Sequence, residues 1–458
     1  MHIKRILTSL VLPVFLLVFA TGCDKENPGA PTLDLIGLSV NGSTLSDGAM
    51  NVATTATFQL VFSTAIDPTR FPAAFSLRAA NGALPGVSFS YTNASSKVSV
   101  TTTLQTGTSY TLRVEASVIG QNGGQLATPI SRQFTTQDGT ITEQAPCISG
   151  SADCLLQLSL SAPNGNQGNF DCYTSFPFDL EMARWERLRY AVITVHGQNR
   201  NADEYFNWMM TTLRNEGLEE DGVLISPYFK PTSEAQGNDI YWPSNNWREG
   251  QGSAGPAGIS SFAVVDQIIA MLADATHFPV MEKIIVAGHS SGALFTHVYA
   301  AANQAQPQYP QLEFRYVVAN SQYFYYPDDV RYDSGTGQFV TPTGCLDFNY
   351  WPLGFNQVPP YLASVTANTV DQQFISRQVT YLLGTADTVT SGTLNTADCG
   401  PVLLGENRYE RGQNMFNFLE TYYAGTHQHQ RVIVPGIGHD AQGMFQSAPF
   451  LNWLRAEL

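Results

Sequence analysis

Three residue types at long separations carry the chemistry this sequence can offer: a serine, an aspartate and a histidine. Ser290 stands at the centre of Gly288-His289-Ser290-Ser291-Gly292. A serine hydroxyl is a weak nucleophile until an adjacent imidazole takes its proton, and that imidazole needs a carboxylate to hold one tautomer. Asp387 closes the stretch Tyr381-Leu382-Leu383-Gly384-Thr385-Ala386-Asp387, and His439 closes Pro435-Gly436-Ile437-Gly438-His439. In the order nucleophile, acid, base, these residues predict acyl transfer through a covalent acyl-enzyme. Asp398 and Asp440 are rivals for the acid, but neither directly follows a predicted strand. Among the other histidines, His427 and His429 are expected on a solvated turn and His277 in a loop. His289 and His297 are expected to line the nucleophile turn and pack the helix behind it. The developing oxyanion needs donors. One expected donor is the amide of Ser291, and the other is the amide of Gln198 after His196-Gly197; the alternative for the second is an ordinary strand-ending turn. The cysteines form no C-x-x-C pair, so neither a metal nor any other cofactor is expected.

Each of these residues falls where a predicted element ends. Ile284 to Ala287 is a short apolar run of the kind that forms a buried parallel strand. After Gly292, apolar residues recur at helical spacing (Leu294, Val298, Tyr299, Ala302). Strand, G-x-S-x-G and helix together make the nucleophile elbow, a turn so tight that small residues are needed on both sides of the serine. Further strands are expected over 189–195, 223–226, 314–319, 379–383 and 431–434, with helices around Tyr205 to Leu213 and over 259–275. Strands alternating with helices from Leu155 onward predict a mostly parallel α/β sheet, whose carboxyl edge gathers catalytic groups. The strand ends that carry His196, Ser290, Asp387 and His439 all belong to that edge.

The first third of the chain follows a different rule. Phe58, Leu60 and Phe62 alternate with Gln59, Val61 and Ser63, and Tyr110, Leu112 and Val114 repeat the pattern. Turn signals at Asn41-Gly42, Asp47-Gly48 and Asn81-Gly82 separate about seven short strands, which reads as an all-β sandwich. Ahead of it, Lys4 and Arg5 precede an apolar run from Ile6 to Ala20 and then Thr21-Gly22-Cys23, the pattern of an export signal. The expected organisation is a signal over 1–22, a tether over 23–32, the sandwich over 33–137, a linker over 138–150 and the catalytic α/β domain over 151–458. Net charge is −15 over 458 residues, and removing Lys4 and Arg5 with the signal takes it to −17. That balance argues against nucleic-acid partners and against electrostatic docking on anionic lipid. Oligomeric state is left open.

Several stretches resemble known families. Ala20-Thr21-Gly22-Cys23 is similar to a bacterial lipobox, departing from it at Ala20. The resemblance implies lipidation of Cys23 and a cell-envelope address held to the membrane through that lipid, with plain secretion and an uncleaved anchor as alternatives. LSDGAMNVATTATFQLVFSTAIDP, NGALPGVSFSY and TGTSYTLRVEASV resemble bacterial Ig-like domains of the S-layer type. That implies a spacer, with glycan or polymer binding as the alternative. AVITVHGQNRNADEYF, IYWPSNNWREG, VAGHSSGALF, YLLGTADT, GENRYERG and IGHDAQGMF resemble a family of bacterial and fungal α/β-hydrolases of the serine-esterase kind. It implies the α/β-hydrolase fold, with Ser290 as nucleophile, Asp387 as acid and His439 as base. Polyhydroxyalkanoate depolymerases and feruloyl-type esterases are more loosely similar. Ester hydrolysis is therefore expected, on a small or polymeric ester. A depolymerase of polyesters or ester-decorated polysaccharides is one alternative, and an inactive hydrolase fold used for surface binding or adhesion is another.

Trp242, Trp247 and Tyr323 fall in loops expected at the carboxyl edge, where rings either form a substrate platform or pack the loops to the sheet. Arg248 and Glu249 beside them suit an ion pair. Once Cys23 is set apart, five cysteines remain. Cys345 and Cys399 lie in loops leaving the same sheet edge and are expected to pair. A second bridge is expected from among Cys147, Cys154 and Cys172.

Overall fold

The computed structural model describes residues 32–80, 82–137, 144–180 and 183–458. The expected signal, Cys23, the tether up to Pro31 and residues 138–143 of the linker lie outside the described residues. The chain divides into two units, 1–136 and 137–458. No helix among the described residues is long and apolar enough to cross a membrane.

In the first unit, period-two strands stack as a sandwich. A five-stranded sheet contains Leu35–Val40, Thr55–Phe62, Lys97–Thr103 and Val87–Thr92, and a four-stranded sheet contains Ile130–Thr136, Ser109–Val114 and Phe75–Ala79. The inward residues Phe58, Leu60, Val98, Val100, Leu112 and Val114 are fully buried. No cysteine occurs over residues 32–136, so apolar burial between the two sheets supplies the cohesion.

The second unit is built on an eight-stranded sheet. Its strands are β1 (Leu155–Ser161), β2 (Gln167–Thr174), β3 (Tyr190–Val195), β4 (Gly222–Pro227), β5 (Lys283–His289), β6 (Glu313–Ala319), β7 (Val379–Gly384) and β8 (Gln430–Val434). They lie in the order β1-β2-β4-β3-β5-β6-β7-β8. β2 runs antiparallel to both of its neighbours, and the remaining pairs are parallel. This is the α/β-hydrolase fold. The main helices are α1 (Ala202–Asn215), α2 (Ser261–Leu272), α3 (Ser291–Ala302), α4 (Ala367–Ser376), α5 (Arg408–Tyr422) and α6 (Ala448–Glu457).

The central strands are apolar on both faces because both faces are covered. On β3, Ala191, Ile193 and Val195 join the core under α2, α3, α4 and α5, while Tyr190 and Val192 join the core under α1 and α6. On β5, Ile284 and Val286 alternate with Ile285 and Ala287 in the same way.

The bridge Cys345–Cys399 is formed, with Cα atoms 5.8 Å apart. The second bridge is Cys147–Cys154, at 5.6 Å. Cys172 is a free thiol buried in β2, and burial pushes its pKa well up, which makes it unreactive. An Ig-like unit and two disulfides are features of an extracellular or cell-surface protein.

Two histidines are placed otherwise than expected. The His427 side chain is only 6% exposed, with its Nε2 3.6 Å from Glu420 Oε1. His429 lies not on a solvated turn but inside the fold, its Nε2 donating to the Phe374 carbonyl at 2.7 Å and its Nδ1 facing the Tyr381 hydroxyl at 3.1 Å. Burial lowers its pKa to about 3, so the ring is neutral at physiological pH. The segment entering β8 passes over α4 and β7, and the imidazole satisfies polar groups of both.

Candidate active site

At the end of β5 the chain turns through Ser290, whose φ is 58° and ψ −116°, and α3 starts at the next residue. A positive φ on a serine costs of order 1–3 kcal/mol and persists only where surrounding structure enforces it. Here the flanking glycines enforce it. A Cβ on Gly288 would lie 2.2 Å from the Gly292 carbonyl oxygen, and one on Gly292 would lie 2.1 Å from that of Val195. The first contact closes the turn on itself. The second seats the start of α3 against the end of β3, bringing the His196-Gly197-Gln198 loop beside Ser290.

The Ser290 hydroxyl lies 2.9 Å from His439 Nε2, and His439 Nδ1 lies 2.7 Å from Asp387 Oδ2. The carboxylate can only accept, so Nδ1 carries the proton and Nε2 is left as the acceptor facing serine. Asp387 is fully buried, Ser290 nearly so, and the His439 side chain retains 29% exposure. Asn320, just past β6 and itself at a positive φ of 49°, ties the segments that carry Asp387 and His439 together. Its Oδ1 accepts from the Gly384 amide at 2.8 Å, and its Nδ2 donates to the Gly438 carbonyl at 2.9 Å. The Ala386 amide adds a bond to the Ile437 carbonyl at 3.0 Å. The alternative acids are elsewhere engaged. Asp398 accepts from Asn395, and Asp440 lines the cleft while Asp387 accepts the hydrogen bond from His439 Nδ1.

Behind His439 lies a second imidazole, His289, with ring centroids 4.6 Å apart. Its Nδ1 faces the Tyr205 hydroxyl at 3.3 Å. Burial, reinforced by the charges of His439 and Arg408, drives its pKa well below the usual range, so it stays neutral. His289 therefore lines the turn, and His297 packs behind the elbow, accepting from the Tyr325 amide at 2.8 Å.

On the oxyanion side, His196 is completely buried. Its Nδ1 donates to the Gly197 carbonyl at 2.9 Å and its Nε2 accepts from the Phe229 amide at 3.2 Å. Those two bonds set the tautomer, and burial lowers its pKa to about 3. A neutral ring thus holds the turn that carries Gln198. Gln198, Ser290 and His439 line one cleft of about 420 Å³, together with Asn199, Asn201, Trp208 and Thr393. Ser291, the other expected donor, is the first residue of α3 and is buried.

The expected aromatic platform does not hold. Trp242 and Trp247 are both 0% exposed and neither lines the cleft. The loop between β4 and α2 folds inward, so both rings pack on Phe229, 5.2 and 5.1 Å between centroids. Trp247 also packs on His196 at 4.6 Å and so supports the His196-Gly197-Gln198 turn from behind. Tyr323 is likewise buried and off the cleft, with the Arg248 guanidinium 5.6 Å from its ring. Arg248 pairs with Glu249 at 3.1 Å. The rings that do reach the cleft are Tyr205 and Trp208 of α1. Helical periodicity marks Tyr205 as core and leaves Trp208 beside that face, so no sequence signal sets either apart as cleft-lining.

The strand order, the elbow and the hydrogen-bonded serine, histidine and aspartate define the second unit as an α/β-hydrolase fold holding a triad-like site. Residues 34–136 match the family model of the bacterial Ig-like domain, and the first unit is such a domain. No curated protein matches the chain. Among solved structures, the chain is similar to LpqC, a poly(3-hydroxybutyrate) depolymerase from Bordetella parapertussis. Identity is 20%, covering 66% of this chain and 90% of that one, with a TM-score of 0.46. It is similar also to poly(aspartic acid) hydrolase-1 from Sphingomonas sp. KT-1, at 18% identity over 65% of this chain and 98% of that one, TM-score 0.47. A third is the siderophore hydrolase EstB from Aspergillus nidulans, at 12% identity over 69% and 97%, TM-score 0.35. These are similarities of chain trace, and the fold assignment rests on the strand order and the elbow.

Proposed function

We propose that the chain is an exported serine hydrolase that cleaves carboxylic esters through an acyl-enzyme. The observation that carries this reading is the unbroken hydrogen-bond chain from Ser290 through His439 to Asp387 at a strained elbow. His439 Nε2 takes the hydroxyl proton as Oγ attacks the ester carbonyl. The oxyanion that forms is met by the amides of Ser291 and Gln198. His439 then returns the proton to the departing alcohol, and a water repeats the cycle to release the acid.

The cleft wall favours polar or short acyl groups. It offers the amides of Gln198, Asn199 and Asn201, the carboxylate of Asp440 and two aromatic rings, with Ala441 as its aliphatic side chain. Methylenes beyond the first few gain little burial there, whereas each buried one is worth about 0.8 kcal/mol. On a p-nitrophenyl ester panel, kcat/KM is expected to peak at acetate to butyrate and to fall at least about tenfold by decanoate. A steady rise with chain length would contradict this account of the cleft.

The lipid anchor is part of the same proposal. Acyl chains on Cys23 would hold the protein to the membrane. Cys23→Ser is expected to move the protein from the membrane pellet to the soluble fraction. Retention in the pellet at the wild-type level would remove the anchor from the account.

A further inference from the structure

One buried charge near the site has no part in the acyl-transfer scheme above. Arg408 is the first residue of α5 and is 2% exposed. Its Nη1 lies 3.8 Å from Asp387 Oδ1, the carboxylate oxygen turned away from His439. Its Nη2 donates to Thr393 Oγ1 at 2.8 Å, and Thr393 lines the cleft. Asp387 Oδ1 and Arg408 Nε are both buried without a hydrogen-bond partner among the described residues.

This placement is costly in itself. A cation in the first turn opposes the helix dipole, and removing a guanidinium from water carries a large desolvation penalty. The helix start does not require it, because Asn407 already caps α5 by accepting from the Glu410 amide at 2.9 Å. The α5 start is also fastened directly to the acid segment, the Tyr409 amide donating to the Asp387 carbonyl at 3.2 Å. What the guanidinium adds is positive charge beside the far carboxylate oxygen and a bond to the cleft wall.

Resting on the serine-hydrolase reading, we propose that Arg408 is a positioning residue of the site. Its charge beside Oδ1 holds the Asp387 carboxylate turned toward His439, while its second amino group fixes the Thr393 wall. Other ionisable groups face this cluster: His289 packs on His439, Asp440 lines the same cleft, Tyr323 and Arg411 act on Arg408, and Glu410 acts on Arg411. Arg408 is the cation that the structure puts within 4 Å of the carboxylate among the described residues.

The test is the pH dependence of phosphonylation by a fluorophosphonate, which reads nucleophile activation without needing the natural ester. In Arg408→Gln and Arg408→Met, the acid limb is expected to move up by about half to one pH unit, the direction that follows from removing a neighbouring cation. Arg408→Lys keeps the charge and is expected to return the limb to within a few tenths of wild type. Thr393→Val should raise KM for p-nitrophenyl acetate without moving the limb, which separates the wall from the charge. Gln and Met are both neutral, and either variant, once shown folded by circular dichroism, decides the matter. A limb that coincides with wild type in a folded neutral variant overturns the proposal. A wild-type chain that takes no label at all overturns the hydrolase reading beneath it.

Discussion

Ser290→Ala is expected to lower kcat for p-nitrophenyl acetate by about 10⁵–10⁶ while leaving the fold in place. Losing the nucleophile removes the covalent route, and what survives is the 10³–10⁴ over water that an oxyanion site and binding supply by themselves. Stability should change little. The strained φ of 58° is borne equally by alanine, which has the same Cβ, and the hydroxyl's one hydrogen bond in the structure goes to His439. Steady-state kinetics and a thermal melt on the same preparation check both halves. A variant that keeps a tenth of the wild-type rate would remove Ser290 from the mechanism.

Asp387→Asn is expected to cost about 10⁴ in kcat. An asparagine amide facing His439 Nδ1 would donate where the carboxylate accepts, reversing the tautomer so that Nε2 points a proton at serine instead of a lone pair. The neighbourhood adds a second effect. Arg408, at 3.8 Å, would lose the charge that partly offsets its burial, so the melting temperature should fall together with the rate. Nitrogen-15 NMR of the His439 ring reads the tautomer directly. A rate loss under tenfold, or an unchanged tautomer, would show that another group orients the base, Asp440 being the nearest in sequence.

How much of this was legible in the sequence depends on whether a residue's role is set locally. Gly288, Ser290 and Gly292 were legible because the steric demand of the elbow falls within five consecutive positions. Asp387 and His439 were legible because each follows an apolar run that can only be an inner strand, and strand ends share one sheet edge. Trp242 and Trp247 were misplaced because the loop after β4 has no periodicity, and nothing in IYWPSNNWREG says whether a ring turns inward or outward. His429 was misplaced for the same reason, its partners Phe374 and Tyr381 lying about fifty residues upstream. Asn320 and Arg408 went unseen as site residues because their importance comes from contacts across the sheet edge rather than from neighbours in the chain. The Ig-like unit was plain from its alternation, although the number of strands was underestimated, since two-residue pairings such as Thr32–Leu33 with Gln125–Leu126 leave no pattern.

The central claim is that Ser290 is a nucleophile activated by His439. Labelling of the native chain with a fluorophosphonate, read by intact mass and then by peptide mapping, tests it most directly. The account predicts one adduct per chain, carried on Ser290, formed near neutral pH and lost on denaturation before labelling. An unlabelled native chain, or an adduct on a different serine, would contradict it.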